Sequence, residues 1–530
     1  MSLPTPAVKA VPGLVTIVGF LVAVEFASGI LQGFYTPIYP QLATHLNIHE
    51  GDVNWFEAAQ LIFSALCIPL LARLGDIVGH KQVLVWSTAV TALGSWGLAF
   101  APGFWTFLIA WSIQGAYIIW LPIEVSIIHR RTRDSGRQEV LTRRGAAVLV
   151  GALELSVIIG ALSSGFLVEV MDMNLLLALP AIVVSVVLLL VWVGIEKAPA
   201  DGEGGIDWVG LGLITTSLAL VMAGLVFLRL DGVGTYRGWG LLVLGAFSLI
   251  PFVRYELAHP DPIVDVRLLS SPRQWPVQVT AFLFGIPVLG GQIPLSTFAQ
   301  ADPEVRGYGL GADPSFISTL IGIYVITLAI GALTLPLTTR LFGGVRRTLV
   351  IASLLVGLGY ALWLPMHTHL WQAMLNMTIA GLGSGALVAA LPAAAAAASP
   401  PERNGIATGM TNGIKTVGGA IASAIFAIAL TSTGSLAATG EKVAPLSGYL
   451  TVWAVCSGAA HPRRPRPPRR PQARLLRPGC VRGRGCRFPK CAWCTCTFNG
   501  VQPIERTWFP LMVSHWYAEQ PTAGCIRRTT

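Results

Sequence analysis

The sequence predicts an all-α integral membrane protein, a bundle of thirteen or fourteen transmembrane helices in two pseudo-repeated halves. Three observations carry that expectation. Hydrophobic residues fill 53% of the 530 positions and charged residues only 12%. Soluble domains carry roughly 25% charged residues, so too little charge is present to clothe the several domains that a soluble chain of this length would form. The apolar residues also fall into runs of about 20, the length that crosses the hydrocarbon core of a bilayer. Finally, GHKQVLV at 79–85 is echoed by GVRRTLV at 344–350, each at the entrance to an apolar run.

In order, the apolar runs occupy 12–34, 54–72, 83–101, 104–127, 145–169 and 174–195, then 207–228 and 239–256, then 275–299, 315–338, 348–366, 371–397 and 405–431. Charge, Pro or Gly clusters end each of them. A further run, LSGYLTVWAVCSGAA at 446–460, is cut short at fifteen residues. The first run is too long for a secretory signal and no small-residue cleavage site follows it, so it is expected to remain as a span. The expected organisation is a six-helix half over 1–199, a two-helix insert over 200–257, a second half over 258–460 and a tail over 461–530.

Lys and Arg cross membranes poorly and mark cytoplasmic loops. With the N-terminus inside, 17 of them fall in cytoplasmic segments, six between Arg130 and Arg144, against four outside: Arg229, Arg237, Arg306 and Lys442. A multi-pass protein of the cytoplasmic membrane with its N-terminus inside is expected.

The tail is a different chemistry. Residues 461–530 hold 14 Lys/Arg against 2 Asp/Glu, and six of the eight cysteines. The basic balance of the chain thus belongs to the tail and points to no nucleic-acid partner for the membrane body. Cys491, Cys494 and Cys496 match no zinc spacing, and no metal site is expected. A shifted reading frame in GC-rich DNA would produce this bias and would truncate the last helix, leaving the tail disordered. A basic extension attracted to anionic headgroups is the alternative.

The loop ARLGDIVGHKQVL at 72–84 gathers Arg73, Asp76, Gly79, His80 and Lys81 between apolar runs. Asp76 is expected to meet a helix N-terminus, or Arg73, Lys81 or an arginine of 130–144, as a latch that forms when the halves close inside. Gly79 permits the tight reversal; a plain polar turn is the alternative. Ionisable groups at bilayer depth cost about 2.5–3.5 kcal/mol each on insertion scales, which makes Glu25, Glu154 and Lys415 functional candidates. Glu25 and Glu154 are expected to bind protons or substrate. Ala152, Ser156, Gly160 and Ser164 recur every four residues beside Glu154, a small-residue stripe for close helix contact. At 100° per residue Glu154 points about 200° away from Ser156, toward another surface. Lys415 is expected to pair with a carboxylate, bind an anionic substrate group, or snorkel. Glu124 is expected at the interface.

Leu74, Asp76, Gly79 and Lys81 match the pattern Gly-x-Leu-Ala-Asp-Arg-x-Gly-Arg-Lys, with His80 in place of Arg. On these residues the chain resembles the major facilitator superfamily. IDWVGLGL at 206–213, HPDPIVDVRLL at 259–269 and GMTNGIKTVGGAIASA at 409–424 resemble its fourteen-helix drug:proton antiporters. The resemblance implies export of small, amphipathic, drug-like molecules in exchange for protons, by a monomer whose partners are substrate, protons and the bilayer, with no cofactor. It marks Gln114 and Gly115 as the end of an Arg-x-x-Gln-Gly motif, in which Trp111 occupies the Arg position, and makes Gln114 a further candidate for binding protons or substrate. It places Gly160 to Gly165 where Gly-Pro-x-x-Gly-Gly is usual, and Lys415 where Arg is frequent. Trp111 favours a proton-independent facilitator or importer as the alternative; a non-transporting membrane sensor is the rival from another class. No enzyme is expected: there is no His-Glu-x-x-His, and GMTNGIKT at 409–416 lacks the adjacent Gly-Lys of a phosphate loop.

Overall fold

The computed structural model describes residues 18–133, 136–195, 205–260, 262–400, 403–432 and 443–460. The first part contains α1 (Leu21–Phe34), α2 (Asn54–Val78), α3 (His80–Ala99), α4 (Phe104–Gln114), α5 (Trp120–Arg131), α6 (Gln138–Leu167) and α7 (Met173–Gly194). A helix pair follows, α8 (Trp208–Asp231) and α9 (Tyr236–Ala258). Then come α10 (Trp275–Gly285), α11 (Gln292–Gln300), α12 (Pro314–Leu333), α13 (Val345–Leu362), α14 (Leu370–Ala397), α15 (Asn404–Ser432) and α16 (Leu446–Ala460). No strand occurs among the described residues.

Twelve helical segments among the described residues are long and apolar enough to cross a membrane, α4–α5 and α10–α11 each forming one. The expected run 83–101 is α3, 20 residues long, but it falls outside that set. Gln82, Ser87, Thr88, Thr91 and Ser95 dilute its hydropathy. Hydroxyls there are bonded internally, Thr88 to the Leu84 carbonyl at 2.7 Å and Ser95 to Thr91 at 2.8 Å, which lets a polar stripe sit inside a bundle. The last helix, α16, has 15 residues. The beginning of the first run and the whole 461–530 tail lie outside the described residues.

The sequence echo has a geometric counterpart. Gly79 ends α2 and starts α3 at φ 103°, ψ 138°, and Gly344 starts α13 at φ 133°, ψ 158°. Both conformations belong to glycine, so the same sharp reversal is built at the same place in each half.

Two runs read as continuous in the sequence are broken at mid-span. Between α4 and α5 the chain tightens into a 3-10 turn, Gly115–Ile119. Gly115 lies against α2, where a Cβ would stand 2.6 Å from Ser64 Oγ and 2.7 Å from Gln60 Cγ. Between α10 and α11 a π-helical turn spans Ile286–Gly290. Pro287 has no N–H to give, and its own carbonyl accepts from the Tyr360 hydroxyl at 2.7 Å. Period alone does not reveal such breaks, because both sides stay apolar.

Buried apolar side chains form two large clusters, one drawn from Val18 through Ile195 and joined by Ile293, the other from Ala281 through Ala460. Along the seam α2 lies against α15, and α6 against α12. A smaller cluster joins Trp55 and Ala58 of α2, Leu225 and Leu228 of α8, and Ala424, Ala427 and Ile428 of α15. The insert therefore touches both sides of the seam. Arg229 of α8 also grips Asp52 through two hydrogen bonds of 3.1 and 3.2 Å.

Candidate functional site

The site begins with the two faces of α6. On one face Ser156 is fully buried, and a Cβ on Gly29 of α1 would overlap its Oγ and the Leu153 carbonyl. One turn on, a Cβ on Gly160 would lie 3.1 Å from the Ile30 backbone of α1. Near the end of α6 the stripe changes neighbour. Gly165 abuts Ser318 and Pro314 of α12, and Ser318 donates to the Ala161 carbonyl at 2.7 Å, while the buried Ser164 bonds back to Ala161 at 3.1 Å. Small side chains are what let these backbones approach.

On its other face α6 presents Glu154 to the second half. Lys415 of α15 is close enough for the two charges to act on each other, and Tyr324 of α12 is a further electrostatic neighbour of Glu154. Both Glu154 and Lys415 remain partly accessible. They are not within the 4.0 Å of a direct ion pair. The Ser384 hydroxyl, near Tyr324, is buried with no hydrogen-bond partner among the described residues. One carboxylate, one ammonium and two hydroxyls, contributed by both halves, thus surround the middle of the seam.

Hydrogen bonds that join the halves gather at one end. Arg306 pairs with Glu50 at 2.7 Å. Gln41 donates to Gln300 at 2.8 Å, Gln300 to the Pro37 carbonyl at 2.7 Å, and Ser296 to the Thr36 carbonyl at 2.6 Å. The Tyr449 hydroxyl stands between Glu50 and Thr297, at 3.4 and 3.0 Å.

At the opposite end lies the 73–81 loop, whose expected latch belongs to the arrangement closed on that side. Asp76 is 53% exposed, with His80 Nε2 at 3.8 Å, on the same side of the seam. Lys81 instead donates to the carbonyls of Trp192, at 3.0 Å, and Ile195. It thereby caps the C-terminus of α7, where carbonyls lack helical partners. Arg73 Nε approaches the Gly205 carbonyl at 3.4 Å. Asp76, His80, Ser126, His129, Arg130 and Thr142 line an open hollow of about 310 Å³ there.

Glu25 is fully buried in α1, and so is Glu124 in α5. Each carboxyl has the other as its neighbour, and none of their four oxygens has a hydrogen-bond partner among the described residues. The expected interfacial place of Glu124 is therefore wrong. Its position along the span gave its depth, but not the face of the helix it occupies.

Gln114 is a structural hub. Its Nε2 donates to the Tyr35 hydroxyl and to Ser95 Oγ, both at 2.9 Å, and Gln60 donates to the Trp111 carbonyl at 2.9 Å. With its side chain so bonded and 1% exposed, it is turned away from the seam into the first half's core. Trp111 fills an aromatic cluster, with ring centroids 4.5 Å from Tyr35 and 5.6 Å from Phe107. The sequence flagged the absent cation at this position; that an aromatic core fills it was not legible there.

A family profile described as Major Facilitator Superfamily matches residues 21–303 and 293–518. Similar proteins include the uridine/deoxyuridine transporter of Lactococcus lactis subsp. cremoris (strain MG1363), 23% identical over 431 residues, covering 79% of this chain and 87% of that one. The cephamycin export protein of Amycolatopsis lactamdurans is 25% identical over 434 residues, covering 76% and 81%. Among solved structures, a POT family transporter superimposes with a TM-score of 0.63 at 14% identity, over 85% of this chain and 97% of that one. That likeness is one of fold.

Proposed function

This chain belongs to the Major Facilitator Superfamily, and on that footing we propose that it is a secondary active transporter exporting small amphipathic molecules across the cytoplasmic membrane in exchange for protons. The observation that carries the reading is the placement of Glu154 and Lys415. Opposite charges from the two halves face each other at mid-span, short of direct contact, while among the described residues the row of hydrogen bonds joining the halves lies at the Glu50 end. By the distribution of Lys and Arg, the Glu50 end faces outward and the Asp76 end the cytoplasm. Substrate enters from the cytoplasm, settles between Glu154, Lys415 and Tyr324, and leaves after the halves rock to break the outer row and close the inner loops. Inserting or removing charge at this level alters which closure is favoured, because ions in a low-dielectric seam interact strongly.

One proton moving inward across 100 mV supplies about 2.3 kcal/mol, some fortyfold of substrate gradient. Support for export comes from similarity to the cephamycin export protein. Similarity to a uridine/deoxyuridine transporter keeps nucleoside-sized polar compounds among the substrates to be tried. Trp111 in its aromatic cluster favours a second reading, a facilitator of the same fold that uses no proton.

The test is expression in a bacterial host stripped of its own pumps, followed by a screen of toxic compounds and nucleoside analogues with and without an uncoupler. Uncoupler-sensitive resistance is expected. Resistance indifferent to the uncoupler selects the facilitator, and no flux of any compound removes the transporter reading.

A further inference from the structure

Two carboxylates buried together require an explanation whatever the substrate. Burying one ionised carboxylate without a partner is expensive, and setting a second beside it adds repulsion. Glu25 and Glu124 are both 0% exposed, their oxygens are unmatched, and each faces the other across the contact of α1 with α5. Among the described residues no cation forms an ion pair with either carboxyl. On α6 Glu154 is engaged with Lys415, and Arg143 and Arg144, in its first two turns, are not among the groups acting on Glu25 or Glu124. Lys81 is bound to the end of α7. On α5 itself His129, Arg130 and Arg131 stand more than a helical turn further on, and His129 neighbours Thr142 at 3.4 Å.

We infer that Glu124 completes a proton site with Glu25, the two carboxyls holding a single proton between them as an O–H···O hydrogen bond. One carboxyl donates and the other accepts, so the pair carries one negative charge and both inner oxygens are satisfied. Releasing the proton leaves two facing carboxylates, whose repulsion separates α1 from α5; taking one up draws them together. The proton is the only ligand, and no bond but O–H forms or breaks. This deepens the proton coupling proposed above and rests on it for its role in transport. The second carboxyl, and the sharing, are the new elements. It also assigns a function to the fourth span that Trp111 cannot perform, because an indole exchanges no proton at neutral pH.

The experiment uses the full chain, purified in detergent, with Glu25→Gln and Glu124→Gln as isosteric variants and Glu124→Asp as a milder one. Infrared difference spectra at neutral pH read the carbonyl stretch of a protonated carboxylic acid. The expected result is one band in the wild type that shifts in each Gln variant alone, because the remaining acid then donates to an amide oxygen in place of a carboxylate, and that shifts in Glu124→Asp. A band untouched by Glu124→Gln, or its absence from the wild type, overturns the shared site. Loss of half the band in each single variant means two independently protonated acids and overturns it as well. Should a Gln variant fail to yield folded protein, the position of the Glu124→Asp band decides. This readout needs no substrate, so failure of the transport proposal in the host screen is distinguishable from failure of the proton site. Where proton-driven export is found, Glu124→Gln is expected to cut it at least tenfold, and unchanged export refutes the role.

Discussion

Ser156 and Glu154 stand two residues apart on one helix and serve opposite neighbours: Ser156 is buried against Gly29 of the first half, whereas Glu154 faces Lys415 of the second. α6 is thereby a rigid bar between the helix that carries Glu25 and the seam between the halves. A displacement at either face is passed across it.

The charge relation is testable by exchange. Lys415→Glu places two carboxylates at the seam and is expected to lower export of any compound found in the host screen more than tenfold. Glu154→Lys combined with Lys415→Glu restores opposite charges and should recover part of it. No recovery would mean that the residues act separately.

Arg306 and Glu50 lie 2.7 Å apart and are 25% and 10% exposed. Pairs of intermediate burial contribute about 1–2 kcal/mol. Arg306→Ala is therefore expected to shift the ratio of outer-closed to outer-open molecules by about 5–30-fold. Spin labels at the exposed positions Thr44 and Glu304, one on each half, should show a longer-distance population in the variant. An unchanged distance distribution would show that the remaining hydrogen bonds suffice.

Tight contact along α1 and α6 predicts a sensitive glycine. Gly29→Ala drives a methyl into Ser156 and the Leu153 carbonyl, and overpacking of this kind costs about 1–3 kcal/mol. Gly151→Ala, on α6 with open space around it, should be neutral or slightly stabilising. Thermal melts of the two variants in one detergent give the comparison.

His49, in the loop between α1 and α2, supplies a pH dependence. Burial holds its imidazole below the ordinary 6.5, against the opposing pull of Asp52 and Glu50 and with the aid of Arg229. Its Nδ1 accepts from the Gly51 N–H at 2.9 Å, which requires the unprotonated ring. The unfolded chain therefore binds the proton more readily than the folded one. Stability should be constant above about 6.5 and fall as pH drops from there toward the folded value. His49→Asn retains an acceptor and removes the titration, so melting curves below neutrality should flatten in the variant. An identical acid slope would exclude His49.

Much of this molecule is written locally. The reversals at Gly79 and Gly344 announce themselves because a turn is set by a few consecutive residues, and the divergence of Glu154 from Ser156 follows from helical geometry alone. What the sequence hides is azimuth and distance. Glu124 was misplaced because depth along a span says nothing about which face meets a neighbour. Glu50 and Arg306 come together from opposite halves of the chain, and neither residue carries a mark of the other. Gln114 matched a motif, yet its surroundings make it a fastening inside one half.

The insert has a consequence for how the closed end opens. Trp55, Leu225 and Ala424 meet where α8 leans on both halves, so parting the halves there must lift α8 from one of them. In water that would expose grease; inside a bilayer the vacated surface is met by acyl chains, an exchange of oil for oil. The Arg229–Asp52 clasp then keeps α8 with the first half, and two extra helices can ride on a moving carrier almost without friction.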